Sequence, residues 1–157
     1  MILSLQTIRD AGIISPWCER SEFKGRHGVL TYGASSAGYD IRAEFDSKER
    51  LAFVELRPGG FRLASTVERF TMPTDVVGIV HDKSSWARRG LCVQNTVIEP
   101  GWCGYLTLEL TNHGVGWLHL ERGVPLAQVV FHRLDKPSER PYTGKYQDQA
   151  RGPQEAK

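Results

Sequence analysis

Residues 104–112, "GYLTLELTN", decide the fold class. Three leucines alternate with polar and aromatic residues, which predicts a β-strand with one face in a core. Glutamate is disfavoured in strands, yet Glu109 lies at the centre of the opposite face. Either that face lies in water or the carboxylate has a function. The strand alone favours the first interpretation, because a polar outer face is ordinary for a half-buried strand. The leucines are Leu106, Leu108 and Leu110, and the opposite face carries Tyr105, Thr107, Glu109 and Thr111.

Most of the remaining chain consists of short apolar segments bounded by Gly, Pro, Asn or Asp. Strands at such regular spacing predict an all-β sandwich or barrel. The predicted strands are "YDIRAEFD" (39–46), "LAFVEL" (51–56), "GFRLASTVERF" (60–70), "DVVGIVHD" (75–82), "LCVQNTVI" (91–98) and "LAQVVFHRL" (126–134).

The other segments predict helix, loop and tail. "LSLQTIRDAG" (3–12) predicts a short helix with Ser4 as N-cap and Gly12 just past its end. Residues 15–38 are rich in turn formers and predict a long irregular connection. Residues 136–157 are polar and rich in Pro and Gly, which predicts a tail that is flexible unless something binds it.

Length and composition indicate one globular domain, residues 1–157. The net charge of +2 is too small to imply a nucleic-acid or membrane partner. No apolar run reaches membrane-spanning length and the start does not resemble a signal peptide, so we expect a cytoplasmic protein.

Zinc chemistry is not expected. Three cysteines are too few and too scattered for a disulfide scaffold or a zinc cage. The zinc deaminase signature needs H-x-E followed by P-C-x-x-C. "HLE" at 119–121 supplies its first half, and nothing supplies the second. We therefore predict no metal site built from protein side chains.

"HDKSSWARRG" (81–90) is the most informative segment for function. Ser84 or Ser85 can cap a helix of about one and a half turns, with Lys83 before it and Arg88 one turn later. Basic side chains beside free helix N–H groups suit a polyphosphate. A capped surface helix with solvated charges is the alternative.

"GASSAGYDIRAEFD" (33–46) places small residues ahead of Asp40 and Arg42. Small residues permit tight turns and close backbone approach to a ligand. A plain loop that enters a strand explains the same pattern.

"VIEPGWCGYLTLEL" (97–110) contains a Pro-Gly turn that predicts a hairpin. Such a hairpin would bring Glu99 and Glu109 to the mouth of one pocket. Trp102 beside the turn could stack on a base or pack in the core.

The order of these motifs resembles the dUTPase and dCTP deaminase superfamily over most of the chain. The matching stretches are "SAGYDIRA", "DKSSWARRGL", "VIEPGWCGYLTLELTN" and "GVPLAQVVF". The opening "MILSLQTIR", the ending "PYTGKYQDQARGP" and the glutamate in "LTLEL" are similar to the deaminase branch. The resemblance implies a distorted β-barrel (dUTPase-like β-clip) that forms a homotrimer with sites at subunit interfaces. It also implies deamination of dCTP to dUTP without zinc, with Mg²⁺ carried by the triphosphate.

The resemblance also implies roles for individual residues. Glu109 becomes the general acid/base, Ser84 orients the attacking water, and Arg88 supports the site. A carboxylate in that role typically contributes about 10²–10⁴-fold to the rate. With the resemblance, a pocket-facing Glu109 is favoured over a solvent-facing one. The implied nucleotide-binding positions are Lys83, Ser84, Ser85, Trp86, Ala87, Arg88, Glu99 (at the deoxyribose), Thr107 and Leu108 (along the base pocket), Gln128 (near the phosphates), and Tyr142, Lys145 and Gln149 (in the tail).

The chain departs from the family pattern at three places. Lys83 stands where arginine is common and lacks its bidentate fork. Glu99 replaces the usual aspartate. Residues 92–99 are shorter than the family hairpin, which indicates an altered base preference, for example toward a modified cytosine nucleotide.

Two other functions stay open. A pyrophosphatase acting on dUTP or a related nucleotide would use Glu99 as base, alone or together with deamination. A catalytically silent, nucleotide-binding regulatory trimer would need no water-activating carboxylate, so Ser84, Arg88 and Glu109 argue against it.

Overall fold

The computed structural model describes residues 1–45, 52–94 and 96–156. In chain order, their elements are α1 (Leu5–Asp10), β1 (Ile14–Ser15), β2 (Ser21–Gly25), β3 (Gly28–Ser35), β4 (Gly38–Glu44), β5 (Phe53–Leu56), β6 (Phe61–Thr71), β7 (Val76–Asp82), α2 (Ser84–Ala87), β8 (Leu91–Val93), β9 (Val97–Ile98), β10 (Cys103–Asn112), β11 (Leu118–Glu121) and β12 (Pro125–Arg133). Asp46, Leu51 and Asn95, which belong to predicted strands, and Lys157 at the end of the tail lie outside the described residues.

Ten of these strands form one curled antiparallel sheet, a half-barrel. Its main path runs β8-β10-β6-β4-β12-β7-β9, with β1 added to β6 and the β2–β3 ribbon added to β4. A separate two-stranded sheet pairs β5 with β11. The predicted all-β barrel-like fold is confirmed.

Strand β10 has the alternation that its sequence predicts. Buried and half-buried residues alternate along all ten positions. Leu106, Leu108 and Leu110 are only 7%, 0% and 0% exposed and pack in the core. Glu109 therefore projects from the other face of β10. On the neighbouring strand β6, the residue paired with Glu109 is Leu63.

Helix α1 also forms as its sequence predicts. The Ser4 hydroxyl accepts a hydrogen bond from the Thr7 amide at 3.5 Å, and Ile8 is buried. Gly12, with φ of +63°, follows the C-cap in the left-handed region that glycine enters at little cost.

The prediction of an irregular connection over residues 15–38 is wrong. Strands β2 and β3 form a regular antiparallel hairpin that pairs Ser21 with Tyr32 and Gly25 with Gly28. The residues of β2 are only half-buried or exposed, so this outer ribbon lacks the apolar alternation of a core strand. Its pairing comes from backbone hydrogen bonds, which the side-chain pattern does not report.

Two predictions for residues 91–110 are also wrong. The single strand predicted over 91–98 is two short strands with different partners, since β8 pairs with β10 and β9 pairs with β7. The Pro100-Gly101 turn leads from β9 into β10 without pairing them, so the predicted hairpin does not form. Strand β11 was not predicted, because its neighbours on both sides in sequence resemble turns.

Helix α2 occupies the predicted place but is not capped as predicted. Lys83 is the N-cap residue, and no side chain caps the helix. Ser84 and Ser85 are the first two helical residues instead.

Candidate active site

A cavity of about 450 Å³ opens over the outer face of β10 and contains the central carboxylate. Thr107 and Glu109 contribute from β10, and β9 with its flanks contributes a second wall. The tail forms a third wall. The lining residues are Phe61, Leu63, Thr96, Val97, Ile98, Glu99, Trp102, Leu106, Thr107, Glu109, Tyr142, Tyr146, Gln149, Gln154, Glu155 and Ala156.

Glu109 lies half-buried in this cavity among apolar neighbours such as Leu63 and Val97. Burial raises the pKa of the Glu109 carboxyl, because removing the anion from water disfavours it. Hydrogen bonding to the Glu109 backbone, and to a smaller extent to the Thr96 side chain, lowers the pKa of this carboxyl without cancelling the effect of burial. A carboxyl whose pKa moves toward neutrality is suited to accept and return a proton.

Glu99 lines the same cavity, although it is exposed and the predicted hairpin is absent. The turn that follows it is closed by the Trp102 amide, which donates to the Glu99 carbonyl at 3.1 Å. The structure thus brings Glu99 and Glu109 to one cavity by a turn between unpaired strands.

The Trp102 side chain packs into the core. It is 5% exposed, and its Nε1 donates to the Tyr146 carbonyl at 2.7 Å. Of the two roles predicted for this side chain, the structure shows the packing role.

The tail lies along β10 and covers the cavity. The Tyr105 amide donates to the Gln149 carbonyl at 3.0 Å, and Gln149 Nε2 donates to the Tyr105 carbonyl at 2.9 Å and to Thr107 Oγ1 at 2.7 Å. The Tyr142 amide donates to the Pro100 carbonyl at 2.8 Å. Tyr142 and Gln149 line the cavity. Lys145 Nζ lies 5.0 Å from the Tyr146 ring centroid. The flexibility of the tail stays a prediction.

Gly104 makes this close approach possible. A Cβ atom at residue 104 would lie 2.7 Å from the Gln149 amide nitrogen and 3.0 Å from the Gln149 carbonyl oxygen. Residue 104 also has φ of +141°, which side-chain-bearing residues rarely adopt. Only glycine at this position lets the tail pair with β10.

A second cluster joins residues from three of the segments singled out in the sequence. Lys83 Nζ contacts Asp40 Oδ2 at 2.5 Å, and Gln128 Nε2 donates to Asp40 Oδ1 at 3.2 Å. Gln128 on β12 is directly opposite Asp40 on β4. Arg42, two residues on, instead donates to the buried Glu68 through Nε at 2.7 Å.

Helix α2 is fixed to the barrel by Trp86. This side chain is 1% exposed, and its Nε1 donates to the Pro125 carbonyl at 2.8 Å. Ser84, Ala87 and Arg88 are exposed, whereas the Ser85 Oγ is buried without a hydrogen-bond partner among the described residues. Neither α2 nor Gln128 is part of the described lining of the cavity around Glu109. Within one chain, Ser84 and Arg88 therefore lie outside the described lining of the cavity that contains Glu109.

Some residues of the site were missed by the sequence analysis. Thr96 lines the cavity that contains Glu109, and Gln154 reaches the site by donating its amide to Thr107 Oγ1 at 3.2 Å. Thr96 lies within the segment flagged as short, so its polarity beside Glu99 was an available signal. Nothing in the local pattern of the tail marks Gln154.

Among residues 1–45, 52–94 and 96–156, no group of three or more His, Cys, Asp or Glu side chains is arranged to hold a metal ion. Neither helix in those ranges has the length and apolar character needed to cross a bilayer.

The comparison with family models decides the family. The dCTP deaminase-like model matches residues 23–134, from the β2–β3 hairpin to the end of β12. The chain belongs to the dCTP deaminase-like family.

Relatives and solved structures agree with that membership. The dCTP deaminase of Campylobacter fetus is 38% identical in an alignment of 162 positions that covers 87% of this chain and 86% of the relative. The dCTP deaminase of Roseiflexus castenholzii is 34% identical in an alignment of 166 positions that covers 90% of this chain and 89% of the relative. The native dUTPase of EIAV matches in structure with a TM-score of 0.55 at 22% identity, covering 71% of this chain and 87% of that one. This dCTP deaminase-like chain thus has the fold of the dUTPases, as predicted.

Proposed function

We propose that the protein hydrolyses dCTP to dUTP and ammonia, with Glu109 as the general acid/base. The observation that supports this best is the half-buried Glu109 carboxyl in a cavity, with a raised pKa, on a chain of the dCTP deaminase-like family. The relatives named dCTP deaminase supply the substrate.

The proposed chemistry needs one proton acceptor that also returns protons. Glu109 takes a proton from a water molecule as its oxygen attacks C4 of cytosine. The carboxylic acid then protonates the ring nitrogen, which leaves C4 with a hydroxyl and an amino group. Glu109 next takes the hydroxyl proton and passes it to the amino group, so the C4–N bond breaks, the C4 carbonyl forms and ammonia leaves. Water and dCTP are consumed and dUTP and ammonia are formed, so atoms and charges balance. A raised pKa suits this cycle, because the acid must give back the proton that it has taken.

We propose that the working site is completed by a second copy of the chain. Ser84 and Arg88, assigned to water orientation and site support by the family resemblance, are exposed on α2 and do not share the described lining around Glu109. A homotrimer with sites at its interfaces would unite them. Sedimentation of the protein should give a mass near three times 17.6 kDa.

The nucleotide contacts follow from the same arrangement. Thr107 lines the cavity, whereas Leu108, predicted along the base pocket, is fully buried in the core and is not part of the described lining. We propose that the neighbouring copy contributes α2 with the residue before it (Lys83, Ser85, Trp86 and Ala87) and Gln128 from β12. Tyr142, Lys145 and Gln149 close over the triphosphate, which brings its Mg²⁺ with it. We expect this chemistry in the cytoplasm.

One observation favours a second reaction in the same cavity. Glu99 lies beside the Glu109 site and could activate water against the α-phosphate, as proposed for a dUTP pyrophosphatase. Incubation with Mg²⁺ and dCTP or dUTP, followed by nucleotide chromatography and assays of ammonia and pyrophosphate, separates the reactions. Formation of ammonia and dUTP from dCTP supports deamination. Formation of pyrophosphate and a nucleoside monophosphate supports the second reaction. Unchanged nucleotide that still binds would indicate a silent regulatory trimer.

A further inference from the structure

A buried carboxylate at the end of β4 joins the tail to the barrel. Glu44, the last residue of β4, is 7% exposed. Arg122 Nη1 lies 2.6 Å from Glu44 Oε1, and Arg151 Nη2 lies 3.0 Å from Glu44 Oε2. Arg122 belongs to the turn between β11 and β12, whereas Arg151 belongs to the tail. One carboxylate therefore holds a barrel arginine and a tail arginine at the same time.

Arg151 lies where the tail turns toward the cavity. Gln149, two residues earlier, pairs with β10, and Gly152 follows Arg151 with φ of +100°. Beyond this turn, the Gln154 amide reaches Thr107, and Glu155 lines the cavity. Arg151 therefore lies directly before the turn that leads Gln154 and Glu155 into the cavity wall.

The strength of this contact comes from the burial of Glu44. A buried carboxylate is costly unless cations and hydrogen bonds compensate it. If the tail lifts, Glu44 keeps Arg122 but loses Arg151, so opening removes one of two compensating charges. A further ion pair of the tail, Arg69 with Asp148 at 3.4 Å, is exposed on both sides and is worth little.

We propose that Glu44 and Arg151 form a latch that positions the closed tail over the nucleotide. Glu44 and Arg151 are positioning residues and touch no reacting atom. The proposal rests on the proposed function only for its kinetic consequence: a released latch leaves the tail open for a larger fraction of the time. Nucleotide binding that needs the closed tail then weakens, while the chemistry around Glu109 is unchanged once the tail has closed.

The latch is tested with Arg151→Gln and a matched control, Arg140→Gln, which changes an exposed arginine earlier in the tail. Amide hydrogen exchange of Gln154, measured without nucleotide, should accelerate about fivefold in Arg151→Gln, as expected for loss of a partly exposed ion pair. The KM for dCTP should rise by about the same factor with kcat changed less than about twofold. Arg140→Gln should match wild type in both measurements. Equal exchange rates in Arg151→Gln and Arg140→Gln would overturn the latch.

Two further variants separate the latch from a general loss of stability. Arg151→Lys keeps the charge and should recover part of the wild-type exchange protection. Glu44→Gln combined with Arg151→Gln should accelerate exchange no more than the larger single change, because Glu44→Gln already removes the pair with Arg151 in addition to that with Arg122. Additive effects would contradict the proposal. Hydrogen exchange is measured without substrate, so it tests the latch independently of the proposed function. A wild-type protein that releases no ammonia would refute the proposed function, and the exchange rates would still show whether the latch exists.

Discussion

Replacing Trp86 by phenylalanine should destabilise the protein measurably, because this side chain fixes α2 to the barrel. The variant loses the 2.8 Å hydrogen bond to the Pro125 carbonyl, worth about 1 kcal/mol. It also loses the pyrrole part of a side chain that is 1% exposed, at about 0.8 kcal/mol per buried carbon, or about 2 kcal/mol. The free energy of unfolding should fall by about 3 kcal/mol, and Tm by about 6–12 °C for a chain of this length.

The same substitution at an exposed tryptophan provides the control. Trp117 is 64% exposed, so Trp117→Phe should change the free energy of unfolding by less than about 0.5 kcal/mol. Urea unfolding of both variants, followed by far-ultraviolet circular dichroism at one protein concentration, measures the difference. Equal midpoints for Trp86→Phe and Trp117→Phe would refute the anchoring role of Trp86.

Two further predictions concern the cavity and the tail. The pKa of Glu109 is raised by folding, so the folded protein binds this proton more tightly, and the associated stability declines as pH rises above the ordinary value of 4.5. Glu109→Gln should therefore have a higher Tm than wild type at pH 7, with the gap closing toward pH 4; a lower Tm at pH 7 would contradict the burial argument. Truncation before Tyr142 should raise the KM for dCTP about tenfold or more by removing the tail's hydrogen bonds and its contacts to the triphosphate. An unaltered KM would show that the tail takes no part in binding.

The parts of the fold that follow local rules could be predicted from the sequence. The alternation of leucines in β10 fixed its faces, because period-two burial is a local property of a strand. Ser4 and Gly12 fixed the ends of α1 for the same reason. In contrast, β2 and β3 pair through their backbones at the outside of the sheet, where side-chain burial leaves no clear period.

The sequence identified the two acidic residues of the site, but not the strand pairing that brings them to one cavity. Glu99 and Glu109 were expected to meet through a hairpin, and they meet in one cavity although β9 pairs with β7. Strand partners are chosen by the whole sheet, so local sequence cannot identify them. The latch between Glu44 and Arg151 spans 107 positions, and neither residue lies in a pattern that points to the other.

Ammonia release from dCTP tests the central claim most directly. Wild-type protein with Mg²⁺ and dCTP should release ammonia and form dUTP in equal amounts. Glu109→Gln should bind dCTP with similar affinity and release ammonia about 10²–10⁴-fold more slowly. Turnover by Glu109→Gln at the wild-type rate would show that another group activates the water.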